Sequence, residues 1–232
     1  MADLSAYPIT GAYPPTRPDA IQLYSFPTPN GVKASIALEE MGLDYEPHLV
    51  KLDETETPEF LSLNPNNKIP AILDPDGPGG APLTLWESGA ILLYLADKSG
   101  KLVPSDPTAR HHCIQWMFFQ VGHVGPMFGQ FGFFHKFAGK DIEDPRPKER
   151  FAGEARRAMR VIEGQLRKGE FLLGDEYTIA DIMIWPWIRG AKVFYGAEEE
   201  LEMASFPRTM EWTDSCAARP ASVKGLEIPA RE

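Results

Sequence analysis

Three short stretches of this chain place hydrogen-bonding groups where they could hold an anion or an extended peptide. The first is Thr28-Pro29-Asn30-Gly31, which follows the apolar run IQLYSF (21–26) and opens a helical pattern. A helix start leaves backbone N–H groups unpaired at the positive end of the dipole, so it stabilises an anion such as a thiolate. Thr28 reads as the N-cap and Pro29 as the first helical residue. Thr28 and Asn30 add donors, and Gly31 lets a ligand approach the backbone closely. The second stretch is NNKIPAIL (66–73). A cis Ile69–Pro70 bond would turn the N–H and C=O of Ile69 outward, ready to pair with an extended peptide. The third is LWESGAILLYL (85–95). Glu87 ends a strand and Ser88 opens a helix, an arrangement that suits an amino-acid head group: Glu87 takes the ammonium, and Ser88 with the helix terminus takes the carboxylate. Singly, each stretch has a purely structural account as well: a helix cap, a trans edge proline, a capping pattern.

The elements that would position these groups follow from periodicity and turn signals. IQLYSF alternates as a strand, and Val32, Ile36 and Met41 mark a helix that Gly42 closes as C-cap. YEPHLVKL (45–52) is a second strand, and TPEFLSLNP (57–65) a short helix or turn. KIPAILD (68–74) and PLTLWE (82–87) pair as strands around a Pro/Gly-rich turn, and Ser88 caps a helix to residue 100. After Pro107 only helical patterns remain: 110–134, 147–169, 178–194 and 206–220. Strands and helices followed by helices alone indicate two domains. The expected boundaries are an extended N-terminal arm at 1–20, an α/β domain at 21–100, a linker at 101–107 and an all-helical domain at 108–232.

Composition bounds the function. The chain has 232 residues, 43% hydrophobic and 24% charged, with a net charge of −10. That describes a globular chain with a sizeable core and argues against nucleic acid as a partner. The two cysteines, Cys113 and Cys216, have no metal-type spacing, so no metal site and no disulfide framework is expected. The start of the chain lacks the pattern of a signal peptide, and the apolar runs are too short to span a bilayer, so neither export nor a membrane partner is expected. A reducing cytoplasm is the default compartment.

Together, TPNGVK, NPNNKIPAI and ESGAILLYLA, in the order strand–helix–strand–helix–hairpin–helix, resemble the glutathione transferase family. With QWMFFQVGHVGPMFGQ (115–130), they are most similar to its bacterial nu class, the glutathione-dependent disulfide-bond reductases. The resemblance covers roughly residues 20 to 220 and includes Thr178-Ile-Ala-Asp181, a capping box in the helical half. It implies an α/β thioredoxin-like N-terminal domain plus an all-α C-terminal domain, a homodimer, and glutathione as substrate or co-substrate. It implies that Thr28 and Asn30 flank the glutathione sulfur as the catalytic pair. Ile69, beside Pro70, would pair its backbone with the cysteinyl part, while Glu87 and Ser88 hold the γ-glutamyl head. Lys68 and Arg150 would meet the glycyl carboxylate. One departure is visible: related chains often carry Gln before PEFL, where this one has Thr55-Glu56-Thr57.

The reacting thiol would then belong to bound glutathione, with small-molecule or peptide disulfides as the other substrate. Two alternatives share the same corner: conjugation of glutathione to electrophiles or reduction of peroxides, and a non-catalytic glutathione-binding regulatory protein. Several other features have plain readings. Tyr24 suits packing better than catalysis, and His111, His112 and Cys113 diverge on one helix. Gly122, Gly125, Gly129 and Gly132 form a small-residue face for close helix packing.

Overall fold

The computed structural model describes residues 4–231, which divide into two compact units: 4–101 with 220–231, and 102–219. In the first unit β1 (Ile21–Ser25) is buried along its whole length. It pairs in parallel with β2 (Tyr45–Leu49). A parallel pair needs a crossover, and α2 (Gly31–Met41) supplies it. On its other side β1 pairs antiparallel with β3 (Ala71–Asp74), which pairs antiparallel with β4 (Leu83–Trp86), giving the order β2-β1-β3-β4. The expected strands are all present, each shorter at its ends, and the short helix expected within 57–65 is α3 (Pro58–Leu61).

The register decides what the sheet can present. Tyr24 faces His48 on β2 and Ala71 on β3, and Ala71 faces Trp86 on β4. The exit of β1, the entry of β3 and the exit of β4 therefore lie at one end of the sheet. Thr28, Ile69 and Glu87 each stand one to four residues beyond that row. Helix α2 is buried from Gly31 through Leu38 because the sheet covers one side while α4 (Ser88–Ser99) and α10 (Pro220–Gly225) pack on others. Gly42 closes α2 in the left-handed region, as expected from the sequence.

Two expectations about the ends of the chain require correction. Residues 1–20 were expected as an extended arm; the first three lie outside the described residues. The rest forms a helical turn at Leu4–Ala6 and α1 (Ile9–Ala12), then is tied to β2, where Glu46 accepts from the Thr16 and Arg17 N–H groups at 2.7–3.0 Å. Leu4 and Ile9 are buried in one core cluster with Tyr24, Val50, Phe60, Leu63, Ile69, Ala71 and Leu73. The segment is held because Leu4 and Ile9 bury in this cluster and Tyr7 and Tyr13 pack against it. The far end was expected to belong to the helical domain, but α10 packs on α2 instead. Ser35 Oγ donates to the Gly225 carbonyl at 2.7 Å, and a Cβ on Gly225 would come within 2.7 Å of Ile36, so only glycine permits that approach.

The second unit is helical throughout, apart from turns and a single bridge between Phe171 and Gly174: α5 (Pro107–Phe119), α6 (Gly125–His135), α7 (Arg146–Leu166), α8 (Ile179–Gly190) and α9 (Pro207–Ala217). The patterns at 110–134 and 178–194 each contain a π-helical stretch, Gln120–Val124 and Ala191–Tyr195, where single helices were expected. The glycine face of α6 serves packing: a Cβ on Gly129 would meet Trp187 at 3.5 Å, and one on Gly132 would overlap the Tyr195 ring. The capping box forms, with Asp181 Oδ2 accepting from Thr178 N–H at 2.9 Å. Asp181 Oδ1 also accepts from Leu172 N–H at 3.0 Å and the Trp212 indole at 3.1 Å. Burial pushes its pKa up to about 6 against the opposing pull of those donors.

The buried N-terminal segment yields a direct expectation. Ile9→Ala should destabilise the first unit by about 2–5 kcal/mol, the usual cost of emptying a buried isoleucine site. Chemical denaturation would read it as a lowered midpoint, and an unchanged midpoint would mean that residues 4–20 are not part of the folded unit.

Candidate functional site

At the exit of β1 the first helical hydrogen bond runs from Val32 N–H to the Thr28 carbonyl at 3.0 Å. Thr28 Oγ1 also accepts from Gly31 N–H at 3.2 Å, so Thr28 acts as the cap even though the regular helix is counted from Gly31. That acceptance leaves the hydroxyl proton to be donated elsewhere. Gly31 is needed for a different reason than expected. A Cβ there would stand 1.9 Å from the Phe26 carbonyl oxygen, so the close approach is made by the strand's own exit and not by a ligand.

At the entry of β3 the Ile69–Pro70 bond is cis. Buried Asn64 shapes this loop: its Nδ2 donates to the Lys68 carbonyl at 2.6 Å and its Oδ1 accepts from Asn66 N–H at 2.9 Å. The backbone N–H and C=O of Ile69 carry no hydrogen bond among the described residues, although its side chain is buried. Lys68 is exposed. At the exit of β4, Ser88 is the first residue of α4, and Glu87 occupies the cap position expected for Ser88. Glu87 has φ 71 and ψ 113, a backbone region a glutamate rarely adopts. The turn holds it there because Ile91 N–H reaches the Glu87 carbonyl at 3.0 Å. Glu87 is exposed and Ser88 is buried.

The structure thus brings together seven of the predicted residues, Thr28, Asn30, Lys68, Ile69, Pro70, Glu87 and Ser88, at one end of one sheet. Arg150 lies elsewhere in the chain, exposed on α7 of the second unit. Tyr24 is fully buried, stacked on His48 at 4.7 Å, with a hydroxyl that finds no partner, and burial drives its pKa upward. Its burial and stacking are those of a packing residue, as the sequence suggested. Both cysteines are buried in the second unit, and burial pushes the Cys113 thiol up. Among the described residues no cluster of three or more His, Cys, Asp or Glu could hold a metal ion, and no helix is long and apolar enough to cross a membrane.

One residue escaped the sequence reading. Lys33 lies on α2, entirely buried, with Nζ 2.8 Å from Asn30 Oδ1 and 3.4 Å from Ser88 Oγ. Burial lowers its pKa well below the lysine range, and the Glu87 carboxylate pulls the other way. The available signal was a lysine three residues after Asn30, the one charged residue in the first two turns of the helix.

The geometry has counterparts among known proteins. Residues 19–97 match the glutathione S-transferase N-terminal domain and residues 139–215 the C-terminal domain. The chain belongs to the glutathione S-transferase family. It is 41% identical over 211 residues to the disulfide-bond oxidoreductase YfcG of Escherichia coli, covering 89% of this chain and 94% of that one. A glutathione transferase from Burkholderia graminis, solved with two glutathione molecules bound per subunit, superposes with a TM-score of 0.98 at 56% identity, covering 100% of this chain and 98% of the other. A Pseudomonas putida glutathione transferase, solved with one glutathione disulfide per subunit, gives a TM-score of 0.96 at 51% identity, over 97% of this chain and 99% of that one.

The Gly31 contact can be tested without any ligand. Gly31→Ala must push the start of α2 away from Phe26, so it should destabilise the first unit by about 1–3 kcal/mol, the usual cost of overpacking. Thermal denaturation would show this as a lowered melting temperature. A wild-type melting curve would show that the strand exit and the helix start are not packed as described.

Proposed function

We propose that this chain is a glutathione-dependent disulfide-bond reductase whose reacting thiol is that of bound glutathione. One observation carries the reading. The donor-bearing helix start at Thr28 and Asn30 sits at the sheet end that also presents Ile69 and Glu87–Ser88, in a unit that contains no cysteine. From β1 through β3 to β4 is two strand spacings, about 10 Å. A tripeptide extended at about 3.4 Å per residue has that length. Glutathione laid across the strand ends puts its cysteine sulfur at the α2 start, its cysteinyl backbone against Ile69, and its γ-glutamyl group at Glu87 and the α4 N-terminus.

The chemistry follows from a lowered thiol pKa. The α2 dipole, the Thr28 hydroxyl and the Asn30 amide favour the thiolate over the thiol. The thiolate attacks one sulfur of a disulfide, forming a mixed disulfide and expelling the other sulfur as a thiolate that takes up a proton. A second glutathione attacks the glutathione sulfur of the mixed disulfide. It releases the second substrate thiol and leaves glutathione disulfide. Two glutathione thiols are oxidised and one disulfide is reduced to two thiols, so electrons and protons balance. The ligands named for the Burkholderia graminis and Pseudomonas putida relatives are the two ends of such a cycle. Lys68 is the proposed contact of the glycyl carboxylate, and the assignment of Arg150 to that group rests on the motif resemblance alone. On the motif resemblance we assign the chain to the nu class, as a cytoplasmic homodimer.

Asn30→Ala should raise the pKa of bound glutathione by about one pH unit, the shift produced by losing one hydrogen bond to a charged group, and slow disulfide reduction about tenfold. The pKa is read from thiolate absorbance of the binary complex titrated against pH, and the rate from a model disulfide. Coincident titrations and equal rates would leave TPNG as a helix cap only. Faster turnover of a model aryl halide or a hydroperoxide than of the disulfide would assign the site to conjugation or peroxide reduction. Binding of glutathione without any turnover would make the protein a binding module.

A further inference from the structure

Lys33 has no evident structural reason to be a lysine. Its ammonium lies at the positive end of α2, fully buried, where both desolvation and the helix dipole disfavour a cation. Its hydrogen-bond partners are two neutral oxygens, Asn30 Oδ1 and Ser88 Oγ. A methionine of similar length would fill the same space without that cost. The contact has a geometric consequence. An amide side chain presents an acceptor on one side and two donors on the other. An amine that lies 2.8 Å from Asn30 Oδ1 commits the acceptor and turns the NH₂ group the other way.

We propose that Lys33 is the positioning residue of the thiolate site: it locks the Asn30 amide with its NH₂ group toward the glutathione sulfur, and through Ser88 it ties the start of α2 to the start of α4. The inference rests on the reading of Asn30 as a thiolate donor. Without Lys33 the amide can flip and present a carbonyl oxygen, which repels a thiolate. Lys33 does not touch the sulfur. Its effect on the reaction passes through Asn30, and its contact with Ser88 couples that donor to the turn at Glu87.

A double-mutant cycle on the full-length protein tests this, with Lys33→Met, Asn30→Ala and the double variant. Glutathione is the probe, and the thiolate absorbance of the bound complex is titrated against pH. Lys33→Met should raise the thiol pKa by as much as Asn30→Ala does, and in the Asn30→Ala background it should add nothing. A merely structural lysine would lower the melting temperature and leave the bound thiol where it was. An unchanged titration for Asn30→Ala would overturn the reading of the site itself. A shift for Asn30→Ala with none for Lys33→Met, or two shifts that add, would overturn the role of Lys33 alone. Should Lys33→Met fail to fold, the wild-type structure with glutathione bound decides. Sulfur within hydrogen-bond reach of the Asn30 amide nitrogen, with Lys33 still on Oδ1, supports the proposal; Asn30 turned away from the sulfur or released by Lys33 refutes it.

Discussion

The register of β3 between β1 and β4 is the constraint on which everything else depends. Because β3 runs antiparallel to both neighbours, its entry meets their two exits along the row Tyr24–Ala71–Trp86. A slip of one residue would move every side chain of β3 to the opposite face. Ala71, Ile72 and Leu73 are all fully buried, so such a slip would cost packing on both faces. The three chain turns that follow or precede this row are therefore fixed to one another by the core, to which the Lys33 contacts with Asn30 and Ser88 add a direct tie between two of them. Ile69 and Tyr24 share that core cluster with Leu4 and Ile9, so the N-terminal segment supports the same sheet end from below.

On that frame the electrostatics are simple. Two helices of eleven and twelve residues begin at the same sheet end, so the positive ends of two helix dipoles lie on that side. Such a place suits a ligand with two anionic groups, a thiolate and a carboxylate, one at each helix start. In the proposed reading Glu87 offers its carboxylate to an ammonium. Lys33 lies between them, on Asn30 Oδ1 and Ser88 Oγ, and its burial favours the neutral amine, so the positive field comes chiefly from the two helix starts. A protein cysteine at Thr28 would have become the reacting thiol itself; with a hydroxyl in its place, the thiol has to come from a ligand.

Much of this was legible in the sequence. Strand alternation, the Gly42 signal and the capping box at Thr178–Asp181 are local, and each appears where local chemistry puts it, whereas the regular helix begins at Gly31, two residues after Pro29. The three motifs at the site were legible for the same reason: each combines a turn with a helix or strand terminus. What was not legible depends on distant partners. Residues 4–20 looked extended because they are rich in Pro, Ala and Tyr and show no period, yet Leu4 and Ile9 join a core assembled from residues up to Leu73. The α10 segment looked like a continuation of the helical half, and only the close approach of Gly225 to Ile36 places it with the first unit. Gly31 looked like room for a ligand and proved to be room for the Phe26 carbonyl. Lys33 was hidden among apolar neighbours because its partners come from one turn before it and from the start of another helix.

The central claim is that the protein lends position and charge while the ligand lends the thiol. The most direct measurement is intact-mass analysis of the protein, acid-quenched during steady turnover of a model disulfide, alongside the rate of the Cys113→Ala, Cys216→Ala double variant. Both cysteines are buried in the helical unit. The account predicts an unmodified mass throughout turnover and a double variant that reduces the disulfide at the wild-type rate. A covalent adduct of glutathione or substrate on either cysteine, together with loss of activity in a folded double variant, would contradict it.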